Sequence, residues 1–133
     1  GLETSAASVE ALGAGGISGR PLRRRALEVL RLLRQRAGSR LTLVAAGGIE
    51  SAADAWERLC AGASLVQIYT AFVYEGPGLP GRIAAGLLAQ ARAEGFSRLS
   101  EALEHHHAGS ASGPRGMLDA KLSLPSASMK SSD

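Results

Sequence analysis

Leu41-Thr42-Leu43-Val44-Ala45-Ala46-Gly47-Gly48 and Ser64-Leu65-Val66-Gln67-Ile68-Tyr69-Thr70 are the two stretches that decide the fold. Each is a short apolar run carrying β-branched residues, and neither alternates strictly between polar and apolar. Such runs read as strands of a parallel sheet buried on both faces. Between them, Ser51 and Asp54 have the spacing of a capping box. Ala52, Ala55, Trp56, Leu59 and Cys60 then recur at helical spacing, and Gly62 ends the helix.

Working outward, Pro21 suits the first turn of an earlier helix. Its apolar face runs through Leu22, Ala26, Val29, Leu30, Leu33 and Ala37 to a stop at Gly38. Beyond the second strand, a turn-rich stretch holds Gly76, Pro77, Gly78 and Pro80. A third helix is predicted from about Leu79 to Glu94, stopped by Gly95, with one more short helix over Phe96 to Leu103. Residues 1–16 are rich in Gly, Ala and Ser and read as a loop. Helix, strand, helix, strand, helix with short connections is an α/β order with right-handed crossovers. Two strands do not make a parallel sheet covered on both faces, so the chain reads as part of a larger sheet or barrel.

Length and composition set limits. A complete eight-fold α/β barrel takes about 250 residues, and this chain has 133. Its hydrophobic fraction of 45% is globular, while aromatics at 4% leave an aliphatic core. No run of about 18 apolar residues reads as a membrane span. Gly1 is not a start residue and no signal-peptide pattern follows it, so the natural N-terminus is expected upstream. Cys60 is the single cysteine, which excludes an internal disulfide or a cysteine zinc site and suits a reducing compartment. It reads as a small buried hydrophobe rather than a nucleophile.

The net charge of +3 is unevenly spread: residues 20–40 carry eight arginines against one acid, Glu28. No aromatic residue interleaves them, so a nucleic-acid surface is not expected and a solvated helix face is. From His105 to Asp133 there are seven serines, no aromatic residue and no sustained apolar period. That composition reads as a disordered tail, giving a folded unit over 1–104 and a tail over 105–133. His105, His106 and His107 read as incidental rather than as a metal site, and Glu101 and Glu104 as solvated.

Two features carry chemistry. The run Gly15-Gly16-Ile17-Ser18-Gly19-Arg20-Pro21 stands immediately before a helix, whose first N–H groups suit an anion. Gly47-Gly48 and Tyr69-Thr70 end the two strands on one edge of the sheet, where ligands of parallel sheets bind. In barrels the loops after the last two strands commonly form a phosphate site. These residues point to a phosphate-bearing ligand, with ordinary strand-end turns as the alternative. No Ser-His-Asp arrangement and no metal-ligand spacing is present, so no catalytic and no metal residue is assigned.

The stretches GGISGRPL (Gly15 to Leu22), AGGI (Ala46 to Ile49) and AGASLVQIYT (Ala61 to Thr70), followed by Gly76-Pro77, resemble class 2, quinone-dependent dihydroorotate dehydrogenase. The resemblance covers roughly Gly13 to Leu103. It implies the last two strands, with their helices, of a TIM (β/α)8 barrel. It also implies an FMN-dependent enzyme of pyrimidine synthesis, which oxidises dihydroorotate to orotate and passes electrons to a quinone. By this resemblance Gly19 contacts FMN at the helix start, Gly48 lies against the FMN phosphate, and Tyr69 and Thr70 bind that phosphate. Ser18 and Gly47 are their neighbours, and Gln67 and Ile68 are strand positions inside the barrel.

The resemblance also implies what this chain lacks. The family's serine base, flavin-contacting lysine and orotate-holding asparagines belong upstream, and this sequence contains no asparagine. The same holds for the N-terminal segment that docks such enzymes peripherally on the mitochondrial inner or bacterial cytoplasmic membrane. The 133-residue chain alone is therefore expected to be inactive. The alternatives are a truncated, non-catalytic product without flavin, or a piece of another phosphate-binding TIM-barrel enzyme.

Overall fold

The expected strands form around Val44 and Val66 and pair in parallel, as a computed structural model describing residues 5–11 and 13–111 shows. In chain order the elements are α1 (Ala6–Ala11), a 3-10 turn (Arg20–Leu22), α2 (Arg23–Ala37), β1 (Val44–Ala46) and α3 (Ala52–Cys60). β2 (Leu65–Gln67), α4 (Thr70–Glu75), α5 (Leu79–Ala93) and α6 (Leu99–Ala111) follow. The fold is α/β, with one two-stranded parallel sheet among the described residues.

Local rules account for most element ends. Ser51 Oγ accepts a hydrogen bond from Asp54 N–H at 3.1 Å, the cap expected of α3. Pro21 and Pro80 lie in the first turns of their helices, where no donor is lost. Gly38 follows the last residue of α2 at φ +58°.

The strands are shorter than their apolar runs. Val44, Ala45 and Ala46 pair with Leu65, Val66 and Gln67. Leu41 lies outside the ladder and is exposed. A ladder extends only as far as a neighbour offers partners, and each strand here has one neighbour. Ala45 is buried, whereas the facing pair Val44 and Leu65 is 52% and 59% exposed. One face of the sheet therefore carries apolar side chains without cover, against the expectation of two buried faces.

The core lies between α3, α5 and the covered face of the sheet. Ala45, Ile49, Ala55, Leu59, Ile83 and Leu87 form its centre. Gly86 of α5 lets α3 approach closely, because a Cβ there would come within 2.4 Å of Ala52 Cβ.

Four expectations need correction. Residues 6–11 are a helix, not loop; Ala-rich sequence follows Ser5, whose Oγ accepts from Ser8 N–H at 3.2 Å. The stretch after Tyr69 opens with α4 rather than going straight into turns. The arginine run is not one solvated face: Arg24 and Arg25 pair with Glu28 on the surface, but Arg34 donates to the Gly62 carbonyl and Arg23 pairs with Asp54. Glu101 is not simply solvated, since its carboxylate accepts from Ser97 and Arg98 N–H groups at the start of α6.

The tail boundary at residue 105 also moves. α6 continues through the three histidines to Ala111. The His106 ring packs edge-on to Trp56 at 5.7 Å and its Nε2 donates to the Glu94 carboxylate at 2.8 Å. His107 Nε2 donates to the Leu59 carbonyl at 2.9 Å. These docked rings supply the contacts that polar composition hid. Residues 112–133, the rest of the expected tail, lie outside the described residues.

The hydrogen bond from His106, then that from Gln90, holds the Glu94 carboxyl below its usual value of 4.5. A depressed folded-state value stabilises fully above 4.5 and less as pH falls through the folded value. The melting-temperature advantage of the complete protein over its Glu94→Gln variant is therefore expected to shrink as pH falls below that point. A gap that stays constant across an acid titration would show that the pair does not hold α6.

Candidate anion-binding cleft

Three segments distant in sequence meet at the C-terminal ends of β1 and β2. Ser18 and Gly19 come from the loop before the 3-10 turn, Gly47 and Gly48 follow β1, and Tyr69 and Thr70 follow β2. All six line one cleft of about 200 Å³. The structure thus brings together the six residues nominated by the family resemblance, while Gly15, Gly16 and Ile17 of the glycine-rich run do not line the cleft.

Glycines make this meeting possible. Gly19 has φ +74°, and a Cβ on it would stand 3.0 Å from Thr70 Cγ2. At Gly48, with φ +68°, a Cβ would stand 2.6 Å from Arg23 Cα. The missing side chain of Gly48 makes room for the first residue of α2, while its backbone lines the cleft.

The start of α4 leaves first-turn N–H groups without intrahelical acceptors, and such groups suit an anion. The 3-10 turn adds little, because Pro21 has no N–H and Leu22 N–H donates to the Gly19 carbonyl at 3.0 Å. Thr70, the first residue of α4, adds a hydroxyl. Tyr69 lines the cleft while its side chain is largely exposed. Glu50 places a carboxylate on the cleft, and Arg20 neutralises it: Nη2 and Nε lie 2.7 and 3.0 Å from the same oxygen. Glu50 and Tyr69 are the titratable side chains among the described lining residues. The cleft has the makeup of a binding site rather than of a proton-transfer site.

Behind the cleft, sequence reasoning missed a charged layer. Arg23 Nη2 lies 2.7 Å from Asp54 Oδ1 as an ion pair, without hydrogen-bond alignment. Asp54 Oδ2 accepts from Glu50 N–H and the Ser51 hydroxyl. Arg58, 1% exposed, donates from Nη2 to the carbonyls of Arg23 and Gly47. Burial lowers the Arg58 pKa, against the pull of Glu57 and Asp54; an arginine stays charged regardless. The available signal was an Arg one turn after Asp54, beside the inward-facing Ala55 and Leu59.

The remaining sequence candidates stay outside this chemistry. Cys60 is half-buried, and burial followed by the nearby Glu94 raises its thiol pKa, which disfavours a reactive thiolate. No group of three metal-ligating side chains occurs among the described residues. No helix among them is long and apolar enough to cross a membrane.

A sequence model described as dihydroorotate dehydrogenase matches residues 2–90. The chain belongs to the dihydroorotate dehydrogenase family. It is 56% identical over 103 residues to a dihydroorotate dehydrogenase (quinone) of Thermobifida fusca, covering 77% of this chain and 27% of the relative. The corresponding protein of Kocuria rhizophila is 62% identical over 92 residues, covering 69% and 25%. Among solved structures, the DHODH of Eimeria tenella in complex with ferulenol matches with a TM-score of 0.67 at 31% identity. That match covers 74% of this chain and 26% of the other. The chain thus spans about a quarter of the length of these dihydroorotate dehydrogenases.

Proposed function

We propose that this chain is the C-terminal part of a quinone-dependent dihydroorotate dehydrogenase, in which its cleft holds the phosphate end of FMN. On this reading β1 and β2 are the last two strands of a (β/α)8 barrel. The observation that carries it is the meeting of Ser18-Gly19, Gly47-Gly48 and Tyr69-Thr70 on one cleft at the strand C-termini. Phosphate sites of barrels commonly lie there. The uncovered apolar face, with Val44 and Leu65, supports a neighbouring part of the barrel packing against it.

The residues present fit a phosphate. Glycine-opened backbone, first-turn N–H groups and the Thr70 hydroxyl are donors or lie against donors, and Arg20 offsets the Glu50 carboxylate. At about 200 Å³ the cleft is smaller than the usual range of roughly 300–1,000 Å³ for whole ligands. It suits the phosphate and adjoining chain of the cofactor, with the ring system held by residues upstream. FMN, when bound, supplies the two-electron acceptor that oxidation of dihydroorotate to orotate requires. The residues of this chain bind and orient it. The base and orotate ligands are assigned to upstream sequence, as are quinone access and peripheral attachment to the mitochondrial inner or bacterial cytoplasmic membrane.

Titrating the complete apoprotein with FMN and with riboflavin tests this. FMN is expected to bind at least an order of magnitude more tightly. Thr70→Val removes one hydrogen bond to a charged group, about 1.5–3 kcal/mol, or roughly tenfold to a hundredfold in FMN affinity. Riboflavin affinity is expected to stay unchanged. Equal affinity of the unaltered protein for the two flavins would overturn the phosphate assignment.

A further inference from the structure

Arg58 lies behind the cleft rather than in it, and the cleft reading above does not use it. It projects from α3 into the protein at 1% exposure. Its Nη2 lies 2.5 Å from the Arg23 carbonyl and 3.4 Å from the Gly47 carbonyl. Arg23 is the first residue of α2, and Gly47 opens the glycine turn after β1. One buried nitrogen therefore ties the glycine turn that lines the cleft to the first residue of α2, next to the lining residue Leu22.

The same helix holds both segments a second time. Asp54, one turn before Arg58, pairs with the Arg23 side chain and accepts from Glu50 N–H in the loop after the glycine turn. Arg58 Nε and Nη1, by contrast, are buried without a hydrogen-bond partner. Leaving two guanidinium nitrogens unpaired is costly, and here one nitrogen makes both contacts. Gly47 and Gly48 stand at φ +90° and +68°, a backbone open to glycine without strain but with little of its own to fix it in place.

We propose that Arg58 is a positioning residue for the phosphate end of the cofactor, acting through the Gly47–Gly48 turn and the first residue of α2. This rests on the FMN reading of the cleft. It carries a specific consequence: because one nitrogen serves both carbonyls, an ammonium with three donors can replace the guanidinium. Lys at this position keeps the charge and the bridge, and removes the two unpaired nitrogens.

The test uses the complete protein carrying Arg58→Met, Arg58→Gln or Arg58→Lys. Each apoprotein is titrated with FMN and with riboflavin, and its melting temperature is recorded. Arg58→Met is expected to weaken FMN about tenfold or more, as for loss of a charge-assisted tether, with riboflavin affinity unchanged. Arg58→Lys is expected to bind FMN as the unaltered protein does. If Arg58→Met does not fold, Arg58→Gln, which keeps a neutral donor, is read by the same ratio of FMN to riboflavin affinity. Three results would overturn the inference: unchanged FMN affinity in both uncharged variants, equal weakening of both flavins together with lower melting, or Arg58→Lys as weak as Arg58→Met. An unaltered protein that does not prefer FMN would instead sink the cleft reading on which the inference stands.

Discussion

Gly48→Val in the complete protein is expected to purify without flavin and with a lowered melting temperature. Its Cβ would fall 2.6 Å from Arg23 Cα and 2.7 Å from Arg23 N, both backbone atoms that no rotamer change can move. A β-branched residue at φ +68° adds backbone strain of roughly 1–2 kcal/mol. Overpacking adds about 1–3 kcal/mol more. Against a typical stability of about 5–15 kcal/mol the protein can still fold, but only by moving the start of α2 away from the turn. That movement opens the cleft between Gly19, Gly48 and Thr70. Excess FMN is not expected to restore occupancy, because the distortion lies in the protein rather than in a simple block. Flavin absorbance after desalting, read beside a melting curve, checks both parts. Full absorbance with unchanged melting would show that this turn does not set the cleft.

Residues 1–133 expressed alone are expected to show no dihydroorotate-dependent quinone reduction and no stoichiometric FMN. The titratable side chains among the described cleft residues are Tyr69 and Glu50, and Glu50 is tied to Arg20. Neither is placed as a free base for proton abstraction. The sheet compounds the deficit. It has two strands, and Val44 and Leu65 stand exposed on one face. Phe72 and Val73 of α4 are exposed as well. Uncovered apolar surface and unpaired strand edges drive self-association, so the isolated chain is expected to elute as oligomer or aggregate. Turnover assay, retained flavin and size-exclusion chromatography together decide the matter. Measurable turnover from this chain would mean that it assembles a base of its own.

Much of the architecture was legible because it follows local rules. The spacing of Leu22, Ala26, Leu30 and Leu33 gave α2, and Gly38 its end. Ser51 and Asp54 gave the start of α3. The strand-end pairs Gly47-Gly48 and Tyr69-Thr70 were legible as one edge, because parallel strands joined by a single helix must present their C-termini together. Where neighbours far along the chain decide, local reading failed. The polarity of His105 to His107 suggested a tail, yet His106 is held by Trp56 and Glu94. The arginines of residues 20–40 looked alike, yet Arg34 reaches Gly62 while Arg24 stays on the surface.

The amino-acid sequence by itself determined the α/β order, the parallel pairing and the strand-end pairs Gly47-Gly48 and Tyr69-Thr70, since periodicity, caps and turn glycines act within a few residues; Ser18 and Gly19 were singled out by the family resemblance. Only the tertiary structure decided that Gly19 touches Thr70, that the open side of Gly48 faces Arg23, and that buried Arg58 bonds the Arg23 and Gly47 carbonyls. The reason is physical. A glycine's clearance or an arginine's partner is set by whatever packing brings against it, and those neighbours come from 11 to 51 residues away in this chain.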